Sequence, residues 1–169
     1  TDGDMTYVKY KEQVFKVSSD VISFANDSSY NIVSKLQALV DISEVKSVTV
    51  EYNGAEHTID ITHNDSDMTF VLDGQKVDTK TTQAIYKSIV GLAVDGVYKD
   101  ETLGDTVMKI KYKGIKSSSD TEVEFKSIDD LYCALIRNGK TEFTIKKSKL
   151  NEFMDLFNTY VENPEKQGD

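Results

Sequence analysis

Three dipeptides, Asn53-Gly54, Asp73-Gly74 and Asn138-Gly139, each stand between runs in which apolar and polar residues alternate. Their residues tolerate positive φ, which a two-residue hairpin turn requires at both central positions. The chain is therefore committed to antiparallel strands. Before Asn53, the residues Val48, Val50 and Tyr52 share one strand face while Thr49 and Glu51 share the other. Past Gly54, Ile59 and Ile61 point one way and Thr58, Asp60 and Thr62 the other. Met68, Phe70 and Leu72 make a third strand that runs into Asp73-Gly74. A helix is expected next. Asp78 or Thr79 caps it, Ile85, Ile89, Leu92 and Ala93 form its apolar stripe, and it ends near Asp95-Gly96.

The same order then restarts. Met108, Ile110 and Tyr112 lead into Lys113-Gly114 as Val48, Val50 and Tyr52 lead into Asn53-Gly54, an offset of 60 residues. Val123 and Phe125 stand for Ile59 and Ile61, after a longer loop holding Ser117, Ser118, Ser119 and Asp120. A third strand from about Leu131 to Ile136 enters Asn138-Gly139, and a returning strand, Glu142 to Ile145, leads to Ser148 as helix cap. The final helix carries Leu150, Phe153, Phe157, Tyr160 and Val161 on one face, with Pro164 past its end. These correspondences predict an α+β fold of two diverged repeats, each of antiparallel strands ending in a helix packed on the sheet.

The first segment repeats the pattern in part. Tyr7 to Tyr10, a short turn, Val14 to Val17, and Ser19 capping a helix through Val21, Ile22 and Phe24 resemble the stretch from Tyr132 to Phe153. Asn26 to Ser29 reads as a polar turn, and Tyr30 to Val40 as helical patterning that links to the next unit. The expected organisation is residues 1–44 as the tail of a preceding repeat plus linker, 45–98 as the first full repeat, 99–163 as the second, and 164–169 as a C-terminal tail. The chain begins at Thr1 without an initiator Met, so a mature or trimmed form of a longer protein is expected.

Charge and composition remove several function classes. A net charge of −9 opposes binding to DNA, RNA or anionic lipid, which rests on Lys and Arg neutralising phosphates. A hydrophobic share of 38% and a charged share of 29% are those of a folded domain. No apolar run approaches the roughly 20 residues that span a bilayer. Cys133 is the single cysteine, so no intrachain disulfide exists.

Few residues invite chemistry. His57 and His63, the only histidines, lie at opposite ends of one strand, about 20 Å apart at ~3.3 Å per residue, too far to share a metal. Both read as strand-end residues without catalysis. Cys133 lies mid-strand with no histidine in its own unit and reads as a packing residue. The run Asn64-Asp65-Ser66-Asp67 has oxygen ligands, but it lacks the ordered set of about six that calcium needs, and an Asx turn is favoured. Asp129-Asp130 is read likewise as a turn or helical start. Glycines are scattered at turns and form no phosphate cradle. No catalytic, cofactor-binding or metal-binding residue is assigned and no cofactor is expected. Most aromatics fall on inward faces; Tyr7, Tyr10, Tyr30, Tyr86 and Tyr98 would make a sugar or peptide platform only if they gathered on the surface.

The stretch from Val45 to Gly54, then Thr58 to Ile61, then Met68 to Val77 with the helix after Asp78, resembles a repeat of the bacterial domain-of-unknown-function family numbered 4340. The Tyr7–Phe24 and Tyr132–Phe153 segments are similar to that family's strand–turn–strand–helix ending. Phe70 stands where members often carry a Trp. The resemblance carries no functional residues. It implies an extracytoplasmic, cell-envelope protein held by an N-terminal anchor absent from this chain, with some members accompanying ABC-type transport or gliding motility. The expected function is a non-enzymatic module that engages other envelope or transporter proteins; the alternative is a binding protein for a small molecule, glycan or peptide.

Overall fold

All three turn dipeptides close hairpins, with φ of 51° and 76° at Asn53-Gly54, 49° and 82° at Asp73-Gly74, and 49° and 78° at Asn138-Gly139. The structure is a computed structural model that describes residues 4–26, 29–64 and 67–163. It divides into two units, Thr1–Ser34 and Lys35–Asp169.

The first unit is a hairpin of β1 (Met5–Tyr10) and β2 (Gln13–Ser18), followed by a 3-10 helix at Ser19–Asn26 and a single helical turn, α1 (Ser29–Ile32). Val8 pairs with Phe15 and Tyr7 with Lys16, and Lys11 takes a φ of 53° in the turn. The Thr6 and Ser19 hydroxyls hydrogen bond at 2.9 Å and tie the strand start to the helix start.

The second unit holds β3 (Val45–Tyr52), β4 (Ala55–Asn64), β5 (Asp67–Leu72), β6 (Gln75–Val77), α2 (Thr79–Val90), β7 (Gly96–Val97), β8 (Thr106–Gly114), β9 (Thr121–Ser127), β10 (Tyr132–Arg137), β11 (Lys140–Lys146) and α3 (Lys147–Glu162). The strands form one antiparallel sheet in the order β6-β5-β4-β3-β8-β9-β10-β11-β7. Two four-stranded meanders therefore meet first strand to first strand. Val50 lies opposite Ile110, flanked by Val48 opposite Tyr112 and Tyr52 opposite Met108.

One face of this sheet is the core. Val48, Val50, Ile59, Leu72, Met108, Ile110, Val123, Phe125 and Leu135 are at most 2% exposed. Ile85 and Ile89 of α2 and Leu150, Phe153 and Phe157 of α3 bury against that side. Each such side chain contributes roughly 1.5–3 kcal/mol on leaving water. The helices traverse the face. From α3, the Lys149 ammonium reaches the Ala93 carbonyl and Asp95 carboxylate just past α2, at 2.7 and 2.9 Å, while Asn158 reaches Tyr52 on β3. The opposite face is polar. Lys109 stands 3.5 Å from Glu122 and 3.8 Å from Glu124, Lys111 pairs with Glu51, and the Thr49 and Thr58 hydroxyls bond at 3.0 Å. Such exposed cross-strand pairs contribute roughly 0.2–1 kcal/mol each.

Several local expectations change. The α2 helix stops at Val90 with Gly91 as its C-cap, short of Asp95-Gly96. Those two residues join β11 instead, Asp95 N–H donating to the Thr144 carbonyl at 2.8 Å. Gly96 sits where an added Cβ would come within 3.1 Å of the Thr144 hydroxyl. Asp78 is the N-cap, accepting the Thr81 N–H at 2.7 Å. Ser148 does not cap α3, which begins two residues earlier than such a cap implies, at Lys147 after Lys146, and has no side-chain cap. Gly114 ends β8 rather than forming a positive-φ turn, and the chain reaches β9 through a 3-10 turn at Ser117–Ser119. The helical patterning of residues 30–40 yields only α1. Beyond it, the carbonyls of Lys35, Gln37 and Ala38 accept from Val94 N–H, Arg137 and the Tyr112 hydroxyl at 3.0, 2.6 and 2.7 Å, bonds a helix would have claimed for itself. Residues 35–44 thus belong to the second unit.

Candidate functional site

The register that places His57 opposite Val50 turns its ring to the helix-covered face, at the turn end of β3 and β4. His57 Nδ1 lies 2.7 Å from Asp73 Oδ2, and Asp73 Oδ1 accepts the Thr58 N–H at 2.8 Å. The Asp73-Gly74 turn brings the carboxylate there: a φ of 49° at Asp73 aims its side chain back at β4. The imidazole centroid is 5.9 Å from both the Tyr52 and the Phe157 rings, which meet edge to face at 6.2 Å. Tyr52 donates its hydroxyl proton to Asn158 Oδ1. Burial, with Glu162 and Asp73 adding to it, pushes the Tyr52 hydroxyl above its ordinary pKa.

A histidine oriented by a carboxylate is half of a general-base arrangement. Here no hydroxyl or thiol hydrogen bonds to the His57 ring among the described residues. The ring instead joins an aromatic cluster that seats the last turns of α3 on β3 and β4. Sequence reasoning did not foresee Asp73 as its partner, because that residue already had a sufficient role in the turn.

His63 sits at the far end of β4, where Nε2–H donates to the Val45 carbonyl at 2.7 Å. The structure gives the two histidines separate partners. Cys133 is fully buried, and desolvation pushes its thiol up, away from thiolate chemistry. Asp129 accepts the N–H groups of Leu131 and Tyr132 at 2.8 and 2.7 Å, which lowers its pKa and makes it an Asx turn before β10. In the run Asn64–Asp67, Asp65 and Ser66 lie outside the described residues, as does Pro164. Among the described residues, no three His, Cys, Asp or Glu side chains gather as metal ligands would, and no helix is long and apolar enough to cross a membrane. The five tyrosines do not all lie on the surface. Tyr86 is in the core, and the Tyr98 hydroxyl donates to the Glu101 carbonyl at 2.5 Å. Tyr7 and Tyr10 are exposed on the β1–β2 hairpin.

Two surface features stand out. The β1–β2 hairpin keeps Tyr10 and Val14 64% and 63% exposed, together with Tyr7 and Phe15, and both of its edges are unpaired among the described residues. The nine-stranded sheet, by contrast, ends in strands of three and two residues, a common way to blunt an edge. The second feature is a recess of about 270 Å³ at the turn end of β10 and β11. Leu135 and Phe143 line it together with Arg137, Lys140, Glu142 and Gln37. Arg137 is the chain's only arginine, the one signal in the sequence that marked this place.

Compared with protein-family models, curated proteins and solved structures, the chain matches none of them.

Proposed function

We propose that this chain is a non-enzymatic, extracytoplasmic module that engages partner proteins of a membrane-anchored, transport-associated envelope assembly. The observation that carries the reading is the β1–β2 hairpin. A two-stranded sheet with free edges and exposed Tyr7, Tyr10, Val14 and Phe15 is built to receive an extended strand of a partner, with apolar side chains alternating against it. A single hairpin is marginal in water, so added strands stabilise it. The resemblance to the domain-of-unknown-function family numbered 4340 supplies the envelope setting.

The same reading treats the second unit as two diverged copies of one strand-and-helix repeat. Support comes from the register: Val50 and Ile110, equivalent at the offset of 60, lie directly opposite one another. A two-fold axis through that pair would exchange β3 with β8, β4 with β9, β5 with β10 and β6 with β11.

A photo-crosslinking residue at Val14 of the full-length protein in its native envelope tests the proposal. Crosslinks to a membrane transport component that disappear with Phe15→Glu, at unchanged melting temperature, are expected. Crosslinks only to cytoplasmic proteins, or crosslinks indifferent to Phe15→Glu, would sink it. A second reading, a binding protein for a small molecule, glycan or peptide, is favoured by the recess at Arg137.

A further inference from the structure

We propose that the recess at the end of the β10–β11 hairpin is a binding site for a small monocarboxylate with an apolar tail. Arg137 donates one N–H to the Gln37 carbonyl at 2.6 Å, which holds the guanidinium and leaves its other donors uncommitted among the described residues. Neither Arg137 nor Lys140 has a carboxylate partner among the described residues. The two cations face each other across the β10–β11 register, Arg137 opposite Lys140, beside an apolar floor. That floor is Leu135 and Phe143, at 2% and 3% exposure. A guanidinium held in place offers a fork that matches a carboxylate with two parallel hydrogen bonds. The volume of about 270 Å³ lies just under the roughly 300 Å³ at which drug-sized pockets begin, so the occupant is small.

Glu142 sets the selectivity. It is one of the residues lining the recess, so a second negative charge on the ligand would be repelled. Dicarboxylates and phosphate are therefore disfavoured against a monocarboxylate. Two sources share this chemistry, a free branched-chain carboxylic acid and the C-terminal residue of a peptide. The inference gives a chemistry to the small-molecule or peptide reading and owes nothing to the β1–β2 hairpin, so its failure leaves the interaction proposal intact.

The test is titration of the ¹⁵N-labelled chain with 4-methylpentanoate, N-acetylglycyl-leucine, its C-terminal amide, and inorganic phosphate, read by NMR. The Arg137 side-chain resonance should move with either carboxylate and not with the amide or with phosphate; the tighter of the two carboxylates identifies the source. Arg137→Lys should weaken binding by at least about tenfold, since charge survives but the fork is lost. Lys140 is exposed, so Lys140→Gln removes attraction without touching the Gln37 bond and should weaken binding about two- to fivefold. Equal binding of acid and amide, no response of Arg137 at 10-fold excess of the probes over millimolar protein, or full affinity in both variants would overturn the site.

Discussion

Gly54 and Gly114 lie 60 residues apart, and the structure gives each a different reason to be glycine. At Gly54 the φ is 76° and an added Cβ would meet nothing within 4 Å. The whole cost of Gly54→Ala is thus the left-handed backbone, roughly 1–2 kcal/mol. Asparagine visits that region far more readily, so Gly54→Asn should recover a good part of the loss. At Gly114 the backbone is ordinary, but a Cβ would lie 2.6 Å from the Ser119 Cβ and 2.7 Å from the Lys116 carbonyl oxygen. The 3-10 turn at Ser117–Ser119 would have to shift, an overpacking cost of about 1–3 kcal/mol. Asparagine is larger than alanine, so Gly114→Asn should be no better and is expected to be worse. A chain of this size loses about 2–4 °C of melting temperature per kcal/mol. The two alanine variants would therefore overlap in size, and the decisive quantity is the sign of the Asn-minus-Ala difference at each site. Thermal and urea unfolding followed by far-ultraviolet circular dichroism measure it, since the chain has no tryptophan. A Gly114→Asn variant more stable than Gly114→Ala would refute the steric account of that position.

Tyr86→Phe should raise stability by about 1 kcal/mol, because the Tyr86 hydroxyl is buried with no hydrogen-bond partner among the described residues; a loss of similar size in urea unfolding would contradict this. Acid should destabilise the fold. Asp120, held down first by Lys113 and then by the Gly114 N–H, Asp129, held by two backbone N–H groups, and Glu51, held first by its hydrogen bond from Lys111, all have folded-state pKa values below the ordinary range. Their stabilisation is complete above the unfolded-state values near pH 4 and is lost as pH falls through the folded ones. A melting temperature that stays level from pH 5 down to pH 3 would contradict this sign. Iodoacetamide at pH 8 should leave Cys133 unmodified until denaturant passes the unfolding midpoint, and rapid labelling of the folded chain would show the strand is not closed over it.

Much of the fold was legible from alternation and turn chemistry, because both are local. Asn53-Gly54 and Asn138-Gly139 state their turn type in two residues, and the parity of Val48, Val50 and Tyr52 states which face is buried. Features set by partners distant in the chain were not legible. Nothing local to Val50 says that its neighbour across the sheet is Ile110, and nothing in Asp95-Gly96 says that it leaves a helical reading to join β11. Ser148 resembled a cap, yet the helix began earlier, since Lys147 N–H is already taken by the Leu131 carbonyl at 2.9 Å. The candidate sites divide the same way. His57 was visible as a strand-end histidine, but Asp73 joins it only through the pairing of β4 with β5. Arg137 meets Gln37 across 100 residues, so the recess is complete only once Gln37 has docked.

The two-residue strand Gly96–Val97 bears on how the chain is made. It lies between the two meanders in sequence but pairs with Phe143 and Thr144, at the far edge of the sheet. During vectorial synthesis the first meander emerges long before either of its attachments to the second. The exposed flank of β3 must wait for β8, and residues 96 and 97 must wait for β11. Pairings of such long sequence separation close late and slow folding. A nascent chain that has emerged from the exit tunnel as far as residue 100 would therefore carry a half-sheet with an open edge, and the nine strands should register together only after β11 has left the tunnel.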